Sequence, residues 1–238
     1  MKKENLSLEE EDAKKAEKEA LKRAKEIVKY YEVEERRIIS CNKAVSELKF
    51  FEELSEIGER AFENVKAVKK VALPENISYI GDNAFSGCKN LEEVTFAVAP
   101  ESMGNNVFSD CVKLKNVTLP DELKAIKHRT FYNCSSLENI EIPVGVKSIG
   151  ESAFDGCYSL SSIKIPEKVE KIGDYAFYGC EGIEKLSIPQ SVREIGVSAF
   201  ERCSLKEITM PKRFKKHKKK IFGKKIGGLF SKVKFTYI

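Results

Sequence analysis

The chain has 238 residues, 42% of them hydrophobic and 33% charged, which suffices for a packed core under a heavily solvated surface. Its net charge of +5 is unevenly placed: residues 208–238 carry eleven Lys or Arg and no acid, leaving −6 for residues 1–207. No run approaches the roughly 18 apolar residues of a membrane span. The stretch from Met1 to Lys25 is mostly charge and alanine, unlike a secretory leader, so a cytoplasmic protein is the expectation, with cell-surface and nuclear placement left open.

The first predicted element is a charged amphipathic helix over residues 1–32. Ser7-Leu8-Glu9-Glu10 has the S-x-x-E form of a capping box. After it Ala13, Ala16, Ala20, Ala24, Ile27 and Tyr31 recur at three- and four-residue steps, beside Leu21 and Val28. Two roles fit this pattern. The Ile27–Tyr31 end covers the open edge of whatever follows, or the helix projects as a docking or dimerising arm. Its alanine-rich first half is too small-faced for a strong coiled coil.

From residue 33 to 238 one ruler governs the sequence. Phe62, Phe85, Phe108, Phe131, Phe154, Phe177 and Phe200 fall 23 residues apart without a slip. Ile57, Ile80, Met103, Ile126, Ile149, Ile172 and Ile195 form a second column, and Val71, Val94, Val117, Ile140, Ile163, Leu186 and Ile208 a third, its last member one residue early. A fixed period of this length means a solenoid, each unit burying its apolar face against its neighbours. Within a unit, Ile163-Lys164-Ile165 alternates as a short half-buried parallel strand. Pro166, with no N–H, ends it. Two residues past each Phe stand Asn64, Gly87, Asp110, Asn133, Gly156, Gly179 and Arg202, mostly residue types that tolerate left-handed angles in a tight turn. Arg202 departs from that pattern where the coil is also a residue short, and predicts a local distortion. Counting back places Val45, Leu48 and Phe50 in strand columns and Ile38 and Ile39 in the Ala-Phe columns. Counting forward places Phe214, Ile221 and Phe222 in register, with Val233-Lys234-Phe235 as a last strand, giving nine strands in all.

Units such as KIGDYAFYGCEGIEKLSIP, residues 171–189, resemble the BspA-like leucine-rich repeats of bacteria and some protozoa, and the likeness runs from about Val33 to Ile238. It departs in residues 211–238, a basic, degenerate capping repeat where Lys and His replace apolar positions. The resemblance implies a leucine-rich-repeat solenoid of parallel strands with a mostly irregular or short helical convex side. Family members include cell-surface adhesion proteins and share no catalytic residues, which implies protein binding without catalysis and without a cofactor.

Candidate chemistry is sparse. Cys88, Cys111, Cys134, Cys157, Cys180 and Cys203 recur at the repeat step rather than at metal-ligand spacing, and Val65 fills the same slot, so a stacked core thiol is expected. Cys41 falls one residue off that column and is expected to be more exposed. His128 and His217 have no nucleophile or carboxylate at catalytic spacing. The outward strand positions read Lys69, Glu92, Lys115, Glu138 in one line, whose alternating signs are mildly stabilising, and Thr95, Thr118, Glu141 and Lys164 in another. The second line is a candidate partner-binding face without aromatic anchors. Tyr132, Tyr158, Tyr175 and Tyr178 fall on turns of three consecutive coils, either as a recognition patch or as ordinary turn residues of the family. The segment PKRFKKHKKKIFGKK, residues 211–225, holds nine Lys or Arg in fifteen residues. Its Lys215, Lys216, Lys218, Lys219 and Lys220 are candidates for binding nucleic-acid phosphates or an acidic membrane, for nuclear import, or for guarding an exposed last strand by charge. Oligomeric state is not legible.

Overall fold

The computed structural model describes residues 15, 16, 18, 19, 22, 25–27, 29–41, 45, 48–223 and 233–238. The helix expected over 1–32 lies mostly outside them, and the described residues between Lys15 and Tyr30 have helical conformation. The regular structure opens with an antiparallel hairpin of β1 (Tyr31–Glu34) and β2 (Arg37–Cys41), turned at Glu35 with φ 55°. Tyr31 thus ends no helix; it is buried edge-on against Phe62 at 5.7 Å, with its hydroxyl bonded to the Lys49 carbonyl at 2.8 Å.

In chain order the strands continue as β3 (Glu56–Ile57), β4 (Lys70–Leu73), β5 (Tyr79–Ile80), β6 (Glu93–Phe96), β7 (Ser102–Met103) and β8 (Asn116–Thr118). Then come β9 (Ala125–Ile126), β10 (Ser148–Ile149), β11 (Lys171–Ile172), β12 (Lys185–Ser187), β13 (Glu194–Ile195) and β14 (Glu207–Met210). A 3-10 turn (Lys212–His217), a short helix α1 (Lys218–Phe222) and β15 (Lys234–Tyr237) complete the described part.

These strands build two parallel ladders, where the sequence predicted one strand per coil. The isoleucine column is itself a ladder: β2-β3-β5-β7, and then β9-β10-β11-β13. Its two-residue strands are too short for a visible alternation, which is why the sequence showed only a column. Ile38 pairs with Ile57, so it belongs to this ladder and not to the Ala-Phe columns where counting by 23 put it. The first coil is shorter than the rest. Val45, Leu48 and Phe50 carry no strand, so the expected tally of nine is not met on this side. Cys41, at the end of β2, is buried rather than exposed.

A glycine explains both the continuity of this ladder and its one gap. Gly81, Gly104, Gly150, Gly173 and Gly196 each donate to the isoleucine-column carbonyl one coil back at 2.8–2.9 Å. A Cβ on Gly173 would stand 2.5 Å from the backbone nitrogen of Glu151 and 2.7 Å from the carbonyl carbon of Gly150, so only glycine permits this approach. Lys127 occupies the same column with a Cβ, and the ladder is interrupted at that coil, between β7 and β9. Gly173→Ala is accordingly expected to cost about 1–3 kcal/mol. Lys127→Ala, where a Cβ is already accommodated and the side chain is exposed, should stay within about 0.5 kcal/mol. Urea melts of the two variants check the contrast; equal effects would dismiss the close-approach account.

On the other side of the core the backbone bonds run the opposite way. Phe62, Phe85, Phe108, Phe131, Phe154 and Phe177 donate their N–H forward, to the carbonyls of Ala84, Val107, Thr130, Ala153, Ala176 and Ala199, at 2.8–3.0 Å. Their rings stack at centroid separations from 4.9 Å (Phe62–Phe85) to 5.8 Å (Phe108–Phe131), and Phe222 continues the pile beyond Phe200 at 6.1 Å. Each turn holds two left-handed residues. Besides the Asn64 column, Arg60, Asn83, Asn106, Arg129, Ser152, Tyr175 and Ser198 have φ between 49° and 57°. No glycine marks that second column, so the sequence did not show it. Arg202 keeps φ 63° and the turn survives; the missing residue is absorbed before β14, whose Ile208 still pairs with Leu186. The expected distortion of this coil falls just after Arg202: among the column cysteines only Cys203 makes no N–H bond to the carbonyl of its own Phe, and the turn that follows the cysteine in the other coils is missing at 203–205.

Candidate functional site

The face carrying the third column is a ladder locked at its two ends. It runs β4-β6-β8 and then β12-β14-β15, and in between only Asn139 and Ser162 bridge. Lys70–Glu93 at 2.7 Å and Lys185–Glu207 at 3.6 Å cross adjacent strands in the paired parts. In the opened stretch the corresponding outward residues are Asn139 and Ser162, without charge. The predicted alternating line through Lys69, Glu92, Lys115 and Glu138 lies one residue ahead of these outward positions, and its coil-to-coil pairing appears at Glu184–Lys206.

A cleft of about 700 Å³ lies on this opened stretch, lined by Glu141, Lys164, Ile142, Val144 and Pro166 among others. Thr118 borders its neighbour toward β8, while Thr95, on β6, stands apart from it. Two of the four predicted face residues, Glu141 and Lys164, therefore line this cleft, and Thr118 lines the one beside it. Val144 is the residue sequence reasoning missed: it is 72% exposed at the cleft. Its signal was present, since the position after the coil-closing residue reads Glu75, Val98, Asp121, Val144, Glu167, Gln190 and Lys212, polar except at the two exposed valines.

The tyrosines do not form one patch. Tyr175 and Tyr178 meet edge-on at 5.9 Å, with the Arg202 guanidinium 5.4 Å from the Tyr178 ring centroid. Tyr158 projects at 51% exposure beside Gly179. Tyr132 instead lies under Arg129 of its own turn, 5.0 Å away. These contacts join the first left-handed position to the residue three later, and each coil fills that pair differently. Ser152 donates to Asp155 at 3.2 Å and Ser198 to Glu201 at 2.6 Å. Partial burial pushes the Asp155 carboxyl up. Tyr132 and Tyr178 are thus half-buried in turn structure, while Tyr158 and Tyr175 stay exposed.

The six column cysteines do more than fill space. Each thiol donates to the carbonyl of the Phe 26 residues earlier, at 3.1–3.3 Å, from Cys88 to Phe62 through Cys203 to Phe177. That carbonyl also accepts the N–H three residues on, so the thiol supplies its second partner. Val65 sits in the first such coil, where no Phe of a preceding coil needs capping. Burial pushes every one of these thiols up, Cys88 and Cys203 to about 12, so none is an activated nucleophile. His128 stands 4.0 Å from the exposed Glu151 carboxylate, and His217 contacts the Arg213 carbonyl at 3.3 Å.

The basic segment is a folded coil. Phe214, Ile221 and Phe222 are buried, while Lys215, Lys216, Lys219 and Lys220 are exposed. Lys218 is half-buried, its ammonium 3.6 Å from the Phe235 ring centroid over the terminal strand, and the exposed Lys215 reaches the edge of the same strand, 5.5 Å from the Tyr237 ring centroid. Among the described residues no helix is long and apolar enough to cross a membrane.

The sequence matches the BspA type leucine rich repeat region in six copies, over residues 35–127 and 101–226. A leucine-rich repeat protein from Bacteroides ovatus is similar in structure, with TM-score 0.74 and 30% identity over 85% of this chain and 51% of that one. A leucine rich cell surface protein from Faecalibacterium prausnitzii gives 0.60 and 32%, over 74% and 48% of the two chains. The leucine rich repeat protein of T. pallidum gives 0.59 and 28%, over 79% and 83%. The chain spans about half the length of the first two. No protein with a curated function matches it in sequence.

Proposed function

We propose that this chain, which belongs to the family of BspA-type leucine-rich repeat proteins, is a non-catalytic scaffold that binds a protein partner across the opened stretch of its outer ladder. The observation that carries the reading is the cleft around Glu141, Lys164 and Val144. There the solenoid forgoes most of its strand pairing and all of its cross-strand ion pairs, and leaves a bare valine in water. Exposed apolar groups rimmed by polar ones mark surfaces that another protein covers. The stacked Phe and capped carbonyls behind the face hold it rigid, which lowers the entropic cost of association.

A photocrosslinking residue in place of Glu141 or Lys164 tests this in cells of the source organism. Both positions should yield one shared crosslinked protein, and Val144→Asp should abolish it while leaving the melting temperature unchanged. Crosslinks obtained from Tyr158 but from neither cleft position would move the binding surface to the turn side and overturn the reading.

A further inference from the structure

We propose that the coil from Lys212 to Phe222 is an electrostatic docking site for the anionic headgroups of a phospholipid bilayer. Lys215 and Lys219, and Lys216 and Lys220, stand at i, i+4 spacing across the junction of the 3-10 turn and α1. Like charges at that spacing disfavour the local helix. Among the described residues no carboxylate lies within ion-pairing distance of these four, and the Glu201 carboxylate of the preceding coil is bonded to Ser198 instead. The array is nevertheless held in place. Phe214, Ile221 and Phe222 are buried beneath it, Ser198 donates its N–H to the Lys220 carbonyl at 2.6 Å, and Phe200 to that of Ile221 at 3.0 Å. A rigid cluster of cations with no internal counter-charge is relieved by an external polyanion.

The chemistry of the coil selects among polyanions. Reading or stacking nucleic-acid bases needs a free guanidinium fork or an open aromatic ring. Here the Arg213 fork is spent on the carbonyls of Gln190 and Val192 and on the Gln190 side chain. Phe214 and Phe222 are buried, and Phe235 and Tyr237 lie under Lys218, with Lys215 also over Tyr237 at 5.5 Å. What the coil offers outward is lysine ammonium alone, which suits a dense layer of headgroup charge that requires no fixed geometry. The charge distribution also orients the molecule: residues 1–207 carry −6 and are repelled from such a surface, while residues 208–238 carry eleven cations.

The experiment is co-sedimentation of the whole protein with vesicles of phosphatidylcholine and phosphatidylserine in equal parts, and with phosphatidylcholine alone. Binding is expected only to the mixed vesicles, falling as salt is raised. Each lysine near such a surface contributes about fivefold in partition. A quadruple variant with Lys215→Gln, Lys216→Gln, Lys219→Gln and Lys220→Gln should therefore lose on the order of several hundred-fold. Lys218→Gln alone should change partition little, because that ammonium is engaged with the terminal strand. Should the quadruple variant fail to fold, the wild-type contrast between the two vesicles and its salt dependence decide. Equal binding to phosphatidylcholine, or none to mixed vesicles at low salt, overturns the proposal. So does tighter binding to RNA or DNA duplexes than to the mixed vesicles, which would make the coil a nucleic-acid contact.

Discussion

Raising the pH from 8 to 10 is expected to unfold the protein. The six column thiols sit in the core with burial holding them protonated, Cys88 and Cys203 up to about 12 and the other four raised as well, and Cys41 outside the column is raised to about 11. In the unfolded chain the same groups ionise near pH 8.5. Above that value the unfolded state binds fewer protons than the native one, so stability falls as pH rises. The loss begins at the unfolded pKa of about 8.5 and continues until the native thiols themselves ionise. Each thiol contributes about 1.4 kcal/mol per pH unit in that window, and the six together about 8 kcal/mol. That is comparable with the whole stability of a domain, about 5–15 kcal/mol.

Urea melts at the two pH values measure the effect. A triple variant, Cys134→Val, Cys157→Val and Cys180→Val, supplies the control. At pH 8 each substitution should cost about 0.5–1 kcal/mol, because one Phe carbonyl loses its second partner. At pH 10 the variant should be the more stable protein, having lost half of the column's contribution to the alkaline slope. If the slope is the same with and without the three thiols, the alkaline loss comes from tyrosine and lysine titration and not from the column.

Phe154→Ala carries the largest expected effect of a single substitution. Its ring is fully buried, 5.4 Å from that of Phe131 and 5.1 Å from that of Phe177, and nearly parallel to both. Truncation leaves a cavity between two rings pinned by their own backbone bonds, so relaxation is limited and about 3–5 kcal/mol is lost. In a solenoid each coil is supported only by its neighbours. The damage at a middle coil should therefore appear as a broadened transition as well as a lower midpoint. Phe154→Leu, which refills much of the volume, should recover about half of the loss. A loss below about 1 kcal/mol for Phe154→Ala would mean that the stack is not the structural spine.

Period, family and the identity of the core columns were legible in the sequence, because a 23-residue repeat imposes the same burial on the same position in every coil. Phe154, Cys157 and Ile163 could be assigned to the interior without coordinates, and Lys164 to the outside, since alternation and periodicity report directly on which way a side chain faces. What the sequence left undecided depends on contacts between coils. The second ladder rests on two-residue strands, below the length at which any pattern shows. The second left-handed column carries Arg, Asn, Ser and Tyr in place of glycine, and neighbouring coils hold those angles through the forward hydrogen bonds of the turn. The role of the cysteines, as partners for a carbonyl one coil away, requires knowing which atoms adjacent coils bring together. The cleft arises because the outer ladder opens across several coils, a property of the stack that no single repeat encodes. Lys218, one of five neighbouring lysines in the sequence, is half-buried because the returning strand brings the Phe235 ring to 3.6 Å from its ammonium.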